Sequence, residues 1–179
     1  MGRNGKISGR RAWYQIALHL FLFKLTSWKY YLKVRSIGVS NFRIQDLELL
    51  KDRKIKPTLN EIEYSAYLQQ RDLIEYCKNH SIIPTSYGGL GPVTSFSGGP
   101  LDPVLDDLAK HYAATPAQII QRWIITQGVG IVTTTSKEHR IKEFFQAITL
   151  PISQEHLDLI SAVGEKENKR KFWAKEFAN

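Results

Sequence analysis

The sequence predicts an α/β protein whose strands run parallel, either in an open layered sheet or in a barrel. Short apolar runs with β-branched residues, typical of buried strands, recur along residues 36–179. Segments with the apolar spacing of helices lie between these runs, and such alternation favours parallel strands joined by right-handed crossovers. The chain has 179 residues, 42% hydrophobic and 23% charged, a composition typical of globular proteins. It is short for a complete eight-stranded barrel, which usually needs about 250 residues.

Four strands are predicted, each bounded by turn signals. We expect them over residues 36–40, 57–61, 82–87 and 129–133. A loop rich in glycine, residues 88–100, follows the third strand. In α/β folds, ligands bind at the carboxyl ends of strands, so this loop is well placed for a binding site.

The helices are predicted from apolar spacing and from capping residues. Asn41 is expected to cap a first helix with apolar residues at three-residue spacing, and a second helix ends near Asn79. Thr115 followed by Pro116 is a start signal, because threonine caps helices and proline suits the first helical position. The other helices are expected over residues 101–112, 117–126, 137–146 and 154–163, with Ser136 and Ser153 as caps of the last two.

Positive charge is concentrated at the start of the chain. The net charge is +8, but residues 1–35 hold eight of the 25 Lys and Arg residues and none of the 17 Asp and Glu residues. The remaining residues therefore hold 17 of each sign. Because the excess belongs to one short segment, we do not expect a nucleic-acid partner. Residues 1–35 are interpreted as a basic leader, helical or disordered, and residues 36–179 as a separate domain.

The leader leaves several interpretations open. An Arg-rich organelle address and an amphipathic helix on a membrane surface both fit its composition, whereas a secretory signal lacks its usual cleavage site. An extension without an evolved role is the remaining interpretation. No apolar run of about 18 residues is present, so a transmembrane helix is not expected. We expect a cytoplasmic protein, with organelle targeting by residues 1–35 left open.

Common catalytic and metal-binding motifs are not evident. The five histidines follow no metal-ligand spacing, so no metal site is expected. Cys77 is the one cysteine and is interpreted as a packed core residue. Glu61 and Glu63 share a strand face, but two carboxylates on one strand rarely flank a substrate from both sides.

Polar residues follow all four predicted strands. Because parallel strands end at one rim, these side chains are expected to face a common ligand. Tyr87 could stack on a flat ring, and Arg140 near a helix N-terminus suits a phosphate. Taken singly, Ser, Thr and Asn at such positions more commonly cap helices and turns, but four polar strand ends in order favour a ligand site.

Four motifs together resemble those of the aldo-keto reductases. They are Gly38-Val-Ser-Asn-Phe42, Asn60-Glu-Ile-Glu-Tyr64, Tyr87-Gly-Gly-Leu-Gly91 and Ile131-Val-Thr-Thr-Thr-Ser-Lys-Glu-His-Arg140. They occur in the family's order over about residues 36–165 and match its fifth to eighth strands. The last motif is similar to that of fungal reductases of α-keto amides and conjugated polyketones. The resemblance implies the C-terminal half of a (β/α)₈ barrel in an oxidoreductase that uses NADPH to reduce aldehydes and ketones to alcohols.

The resemblance also implies a cofactor role for each residue at the rim. Ser40, Asn41 and Glu61 would hold the nicotinamide carboxamide, and Tyr87 would stack on the nicotinamide ring. Leu90 and Gly91 would line the pyrophosphate path, and Thr134, Thr135, Ser136, Lys137 and Arg140 would lie near the adenosine 2′-phosphate.

Several departures from the family pattern predict weaker binding of NADP(H). Glu61 stands where the family usually has Gln, and an ionised Glu cannot donate to the amide oxygen. Gly88-Gly89 stands where Ser-Pro is frequent, which loosens the loop. Thr134 and Phe144 stand where Lys and Asn are common, which removes polar contacts to the adenosine end. We therefore expect cofactor binding that is weakened or lost.

The family's catalytic Asp, Tyr, Lys and His come from its second to fourth strands. Residues 1–35 offer no matching motif and no acidic residue. We therefore expect no catalytic residue in this chain. Because loss of a general acid costs about 10²–10⁴-fold in rate, we also expect little activity from the chain by itself. A carbonyl substrate is then expected only where another chain completes the site. The alternatives are a non-catalytic or regulatory NADP(H)-binding module and a truncated product, and unpaired strand edges predict a homodimer or aggregation.

Overall fold

The computed structural model describes residues 34–177. From Gly38 onward, the described residues belong to one compact unit. Predictions for residues 1–33 lie outside the described residues, so the leader and its boundary at residue 35 remain predictions. Between residues 34 and 177, no helix combines the length and the apolar character needed to cross a membrane.

A four-stranded sheet in the order β1-β2-β3-β4 forms the centre of the fold. The strands span Ile37–Ser40 (β1), Pro57–Glu63 (β2), Ile83–Tyr87 (β3) and Gly130–Ile131 (β4). β2 pairs with β3 in parallel, with Glu63 opposite Tyr87, and β3 pairs with β4 in parallel. Each strand thus neighbours the next one in the chain, which confirms the predicted alternation of strands and helices around a parallel sheet.

Two strands, β2 and β4, differ from their predicted bounds by more than one residue at an end. β2 runs two residues past Glu61 because its pairing with β3 continues to Glu63. β4 is reduced to two residues, since only Gly130 and Ile131 are paired with β3.

Six α-helices and a short 3₁₀ helix surround the sheet in the described part of the chain. The α-helices span Ile44–Glu48 (α1), Arg71–Asn79 (α2), Leu101–His111 (α3), Pro116–Thr126 (α4), Glu138–Ile148 (α5) and Gln154–Glu165 (α6), and the 3₁₀ helix spans Gly91–Val93.

Two of the predicted helix caps are confirmed. The Thr115 hydroxyl accepts a hydrogen bond from the Gln118 amide at 3.2 Å, and Pro116 is the first residue of α4. The Ser153 hydroxyl accepts from the His156 amide at 3.4 Å and caps α6. Both sites satisfy amides at a helix start that lack an intrahelical partner.

Two other predicted caps are wrong. α1 begins after Arg43 rather than after Asn41, because Asn41 adopts a left-handed conformation with φ 58° and bonds elsewhere. α5 begins after Lys137, which makes no side-chain capping bond. The hydroxyl of Thr135, not that of Ser136, accepts a hydrogen bond there, from the Lys137 amide at 3.1 Å.

The core lies between the sheet and helices α2, α3, α4 and α6. Trp123 of α4 is fully buried, stacks on Tyr64 with the ring centroids 5.5 Å apart, and donates from Nε1 to Ser161 of α6 at 2.9 Å. Cys77 is also fully buried, as predicted, and burial raises the pKa of its thiol. These contacts hold the chain after β2 against α4 and α6, next to the strand ends.

Candidate functional site

The ends of β1 and β2 are joined by hydrogen bonds to one carbonyl oxygen. The Asn41 amide donates to the Glu61 carbonyl at 2.8 Å, and the Ser40 hydroxyl donates to the same oxygen at 3.1 Å. Asparagine tolerates the left-handed backbone of this position better than most residues do. The predicted residues Ser40, Asn41 and Glu61 therefore lie together.

Buried Asn60 fixes the chain immediately after Asn41. Its side chain is fully buried, donates from Nδ2 to the Phe42 carbonyl at 2.8 Å and accepts from the Phe42 amide at 3.3 Å. The Asn60 side chain thus pairs with both the amide and the carbonyl of Phe42, which lies beyond the end of β1. The sequence motif contained Asn60, but only the structure shows this positioning role.

Tyr87 connects the end of β3 to the end of β1. Its hydroxyl donates to Asn41 Oδ1 at 2.6 Å. Burial raises the pKa of Tyr87, so its phenol remains neutral and able to donate near pH 7. Asn41, at the end of β1, consequently contacts two other strands. Its backbone amide bonds to Glu61 of β2, and its side chain bonds to Tyr87 of β3.

The glycine loop after β3 turns tightly into the 3₁₀ helix. The Gly91 amide donates to the Gly88 carbonyl at 2.9 Å, Gly91 is buried, and Leu90 is half-buried against the core. A Cβ at Gly89 would lie 2.6 Å from Ile124 Cδ1, so no side chain fits there without movement. Close packing therefore explains Gly89, in addition to the freedom that glycine gives the loop.

The residues expected near a phosphate follow β4. Thr135 is half-buried, and Thr134, Ser136, Lys137 and Arg140 are exposed on the loop or in the first turn of α5. Within residues 34–177, neither Lys137 nor Arg140 forms an ion pair. The two cations are thus available to an anionic ligand.

Glu61 and Glu63 have different surroundings. Glu63 is 3% exposed, and its carboxylate accepts from the Lys171 amide at 2.6 Å and from the Phe172 amide at 2.9 Å. The Arg170 guanidinium lies 3.9 Å from the same carboxylate. Glu61 is half-buried, and it is its carbonyl that bonds to β1. Glu63 is therefore engaged by the end of this chain and is not part of a carboxylate pair facing a substrate.

Residues 169–172 lie against the ends of β2 and β3, and we call them the C-terminal strap. The Phe172 ring meets Tyr87 edge to face, with the centroids 5.7 Å apart and the ring planes at 67°. A Cβ at Gly88 would lie 3.4 Å from the Phe172 ring, so Phe172 also covers the start of the glycine loop. The strap thus lies against the aromatic residue predicted to stack on a ligand ring.

The sequence model of the aldo/keto reductase family matches residues 33–165, which is more than half of the chain. This chain belongs to the aldo/keto reductase family. Two yeast relatives are similar over the same part. It is 37% identical over 142 residues to the NAD/NADP-dependent indole-3-acetaldehyde reductase of Schizosaccharomyces pombe, covering 78% of this chain and 50% of the relative. It is 35% identical over 151 residues to the NADPH-dependent alpha-keto amide reductase of Saccharomyces cerevisiae, covering 80% of this chain and 48% of that protein.

A solved aldo/keto reductase from Brucella melitensis has a similar structure. The TM-score is 0.64 at 32% identity, and the similarity covers 78% of this chain and 55% of that one. This chain spans about half the length of the curated relatives that it matches. The predicted family and the predicted α/β fold, matching part of the family's barrel, are therefore confirmed.

Two features of the candidate site were missed by sequence reasoning, namely the role of Glu63 and the strap. Glu63 was considered only as a partner of Glu61. The run Lys169-Arg170-Lys171 followed by Phe172 was a usable signal, because cations and an aromatic ring next to each other suit an acidic, aromatic surface. Its partner lies more than a hundred residues earlier in the chain, so local patterns could not identify it.

Proposed function

We propose that this chain binds NADP(H) along the carboxyl ends of its four strands and forms the cofactor-binding part of a carbonyl-reducing aldo/keto reductase site. The hydrogen bond of 2.6 Å from the Tyr87 hydroxyl to Asn41 Oδ1 carries the proposal. It brings a half-buried aromatic ring and a polar side chain together where the ends of β1 and β3 meet. Both yeast relatives have NADP or NADPH in their names, which supports the same cofactor here.

The chemistry of the rim fits the nicotinamide end of the cofactor. A carboxamide needs both donors and acceptors, and the Ser40 hydroxyl and the Asn41 side chain offer both. Glu61 accepts from the amide nitrogen but, when ionised, cannot donate to its oxygen. We propose that binding is consequently weaker than it would be with glutamine at position 61.

The exposed residues after β4 fit the phosphate of the adenosine end. Arg140 and Lys137 supply positive charge, and the first amides of α5 point toward the same loop. The hydroxyls of Thr134 and Thr135 add hydrogen-bonding groups. This set favours a ligand with a 2′-phosphate, so we expect NADPH to bind more tightly than NADH.

Bound NADPH supplies a hydride to a carbonyl carbon, and the carbonyl oxygen needs a proton from a general acid. Tyr87 is poorly suited to that task because its hydroxyl already donates to Asn41 and burial raises its pKa. The motifs at the strand ends resemble those of the family's fifth to eighth strands, whereas its catalytic Asp, Tyr, Lys and His come from its second to fourth strands. We propose that the acid comes from a second polypeptide, and that this chain by itself binds cofactor without turnover.

The test is a titration of the full chain with NADPH and NADH, followed by cofactor fluorescence. We expect saturable binding with preference for NADPH. Tyr87→Ala should weaken both complexes by about 2- to 10-fold, the range of a lost aromatic stacking contact. Arg140→Ala should reduce affinity for NADPH but hardly for NADH.

Arg53→Ala is the matched control, because Arg53 is an exposed arginine in the segment between α1 and β2. This segment leads into the start of β2 and is not one of the strand ends assigned to the cofactor. It should leave both affinities unchanged. Absence of saturable binding by the folded chain would refute the proposal. Steady reduction of an aldehyde by the purified chain would refute the part that assigns the acid elsewhere.

A further inference from the structure

We propose that the C-terminal strap, residues 169–172, is an autoinhibitory contact that competes with the nicotinamide ring for Tyr87 and is held in place by Glu63. The inference rests on the proposed function, because it concerns the same rim. It goes beyond the proposed function because it assigns to the strap and to Glu63 the control of cofactor access to that rim.

Glu63 is the anchor of the strap. Its buried carboxylate receives two successive backbone amides, those of Lys171 and Phe172, and lies near the Arg170 guanidinium. Hydrogen bonds to an ionised acceptor are stronger than those between neutral groups. Glu63 is directly opposite Tyr87 in the register of β2 and β3, so the hydrogen bonds to Glu63 hold the strap next to Tyr87.

Phe172 is the residue that would exclude a ligand ring. It contacts Tyr87 edge to face and covers Gly88, the first residue of the loop expected to follow the cofactor. Aromatic pairs of this kind are favourable, so a flat ligand ring must displace Phe172 to gain a similar contact with Tyr87. Arg170 lies in the same region as Asn41 and Phe42, with no space for a water molecule between them.

The strap is held mainly by polar contacts and none of its four residues is fully buried, which makes its release possible. Phe172 is 39% exposed, and the Lys171 ammonium bonds only to the exposed hydroxyl of Ser95 at 2.7 Å. At its start, the Lys169 amide donates to the Tyr67 carbonyl at 3.2 Å. Segments with little buried apolar surface open more readily than the core of a protein.

Competition implies reciprocal effects that can be measured separately. When binding needs the strap to be released, the apparent dissociation constant of the cofactor rises in inverse proportion to the released fraction. By linkage, the cofactor must increase the released fraction. Release can be followed without any cofactor, because trypsin cleaves after Lys169, Arg170 and Lys171 once this backbone is free.

The experiment compares the wild-type chain with Glu63→Gln, Phe172→Ala and the control Phe145→Ala. Phe145 is a 69% exposed phenylalanine in the second half of α5, so the control removes the same atoms from an exposed surface outside the strap. Limited trypsin digestion with mass spectrometry gives the cleavage rate within residues 169–172, and NADPH titration gives the dissociation constant. Circular dichroism melting verifies that each variant is folded.

We expect Glu63→Gln to accelerate cleavage of the strap by roughly tenfold, as for loss of a hydrogen bond to a charged group. Glu63→Gln and Phe172→Ala should each bind NADPH several-fold more tightly than wild type, whereas Phe145→Ala should equal wild type in both measurements. Saturating NADPH should accelerate cleavage of the strap in the wild-type chain.

Three results would overturn the inference. Cleavage of Glu63→Gln at the wild-type rate would show that Glu63 does not anchor the strap. Equal NADPH affinity in all four proteins, with the strap released in the variants, would show that strap and cofactor do not compete, while leaving the proposed function intact. Absence of NADPH binding even in Phe172→Ala would instead remove the proposed function, and the competition with it.

Discussion

Gly164→Ala should destabilise the chain, although alanine is the better helix former. Gly164 is buried in the last turn of α6, where the helix meets the backbone of Ala66 after β2. A Cβ at 164 would collide with the Ala66 carbonyl oxygen and lie 2.8 Å from its carbonyl carbon, where ordinary contact begins at 3.4 Å. Both partners are backbone atoms, so relief requires moving a helix or the chain that follows β2.

The magnitude follows from two opposing effects. Overpacking costs about 1–3 kcal/mol or more in free energy of unfolding. The higher helix propensity of alanine relative to glycine raises the free energy of unfolding by at most about 1 kcal/mol. We expect a net loss of roughly 1–2 kcal/mol, equivalent to a fall of about 2–8 °C in Tm for a domain of this size.

Thermal and urea unfolding of the full chain measure this change. Gly38→Ala is the control, because a Cβ there meets Leu59 at 3.4 Å, an ordinary contact distance. That variant should differ from wild type by less than about 0.5 kcal/mol. Wild-type stability of Gly164→Ala, or an equal loss in both variants, would refute the packing argument.

Three further predictions concern buried groups. Cys77 is fully buried with a raised pKa, so a thiol reagent should label it only as fast as the chain unfolds; rapid labelling of the native protein would contradict its placement. Burial raises the pKa of Tyr64 above its ordinary value of 10.0, so the folded state favours the neutral phenol and its stabilisation is lost as pH rises above 10. Urea titrations should show a smaller loss of stability between pH 9 and 11 for Tyr64→Phe than for wild type. Asn60→Ala should cost about 1–3 kcal/mol, because it leaves the Phe42 amide and carbonyl without their partner; unchanged urea unfolding would contradict that role.

Local patterns predicted most of the fold because most of its signals are local. Thr115-Pro116 and Ser153 mark helix starts through bonds to amides three residues away. The strand assignments followed from short β-branched runs, and the parallel order followed from their alternation with helices. The errors fall where tertiary contacts override a local preference. Asn41 has the side chain of a cap, but its bond to Tyr87 and its left-handed backbone take it out of α1.

The candidate site was predictable only in part. Its residues follow strand ends, so Ser40, Asn41 and Tyr87 could be grouped from strand order. The hydrogen bonds among them could not, because they depend on the register of separate strands. Glu63 shows the limit most clearly: its amide partners in the strap are distant in sequence, and no pattern around position 63 points to them.

Hydrogen exchange of the full chain with and without saturating NADPH tests the central claim most directly, because it locates binding on the backbone. We predict slower exchange in peptides containing residues 40–41, 87–91 and 134–140, together with faster exchange in residues 169–172. Slower exchange confined to other surfaces, or no change at saturating NADPH, would contradict a cofactor site at the strand ends.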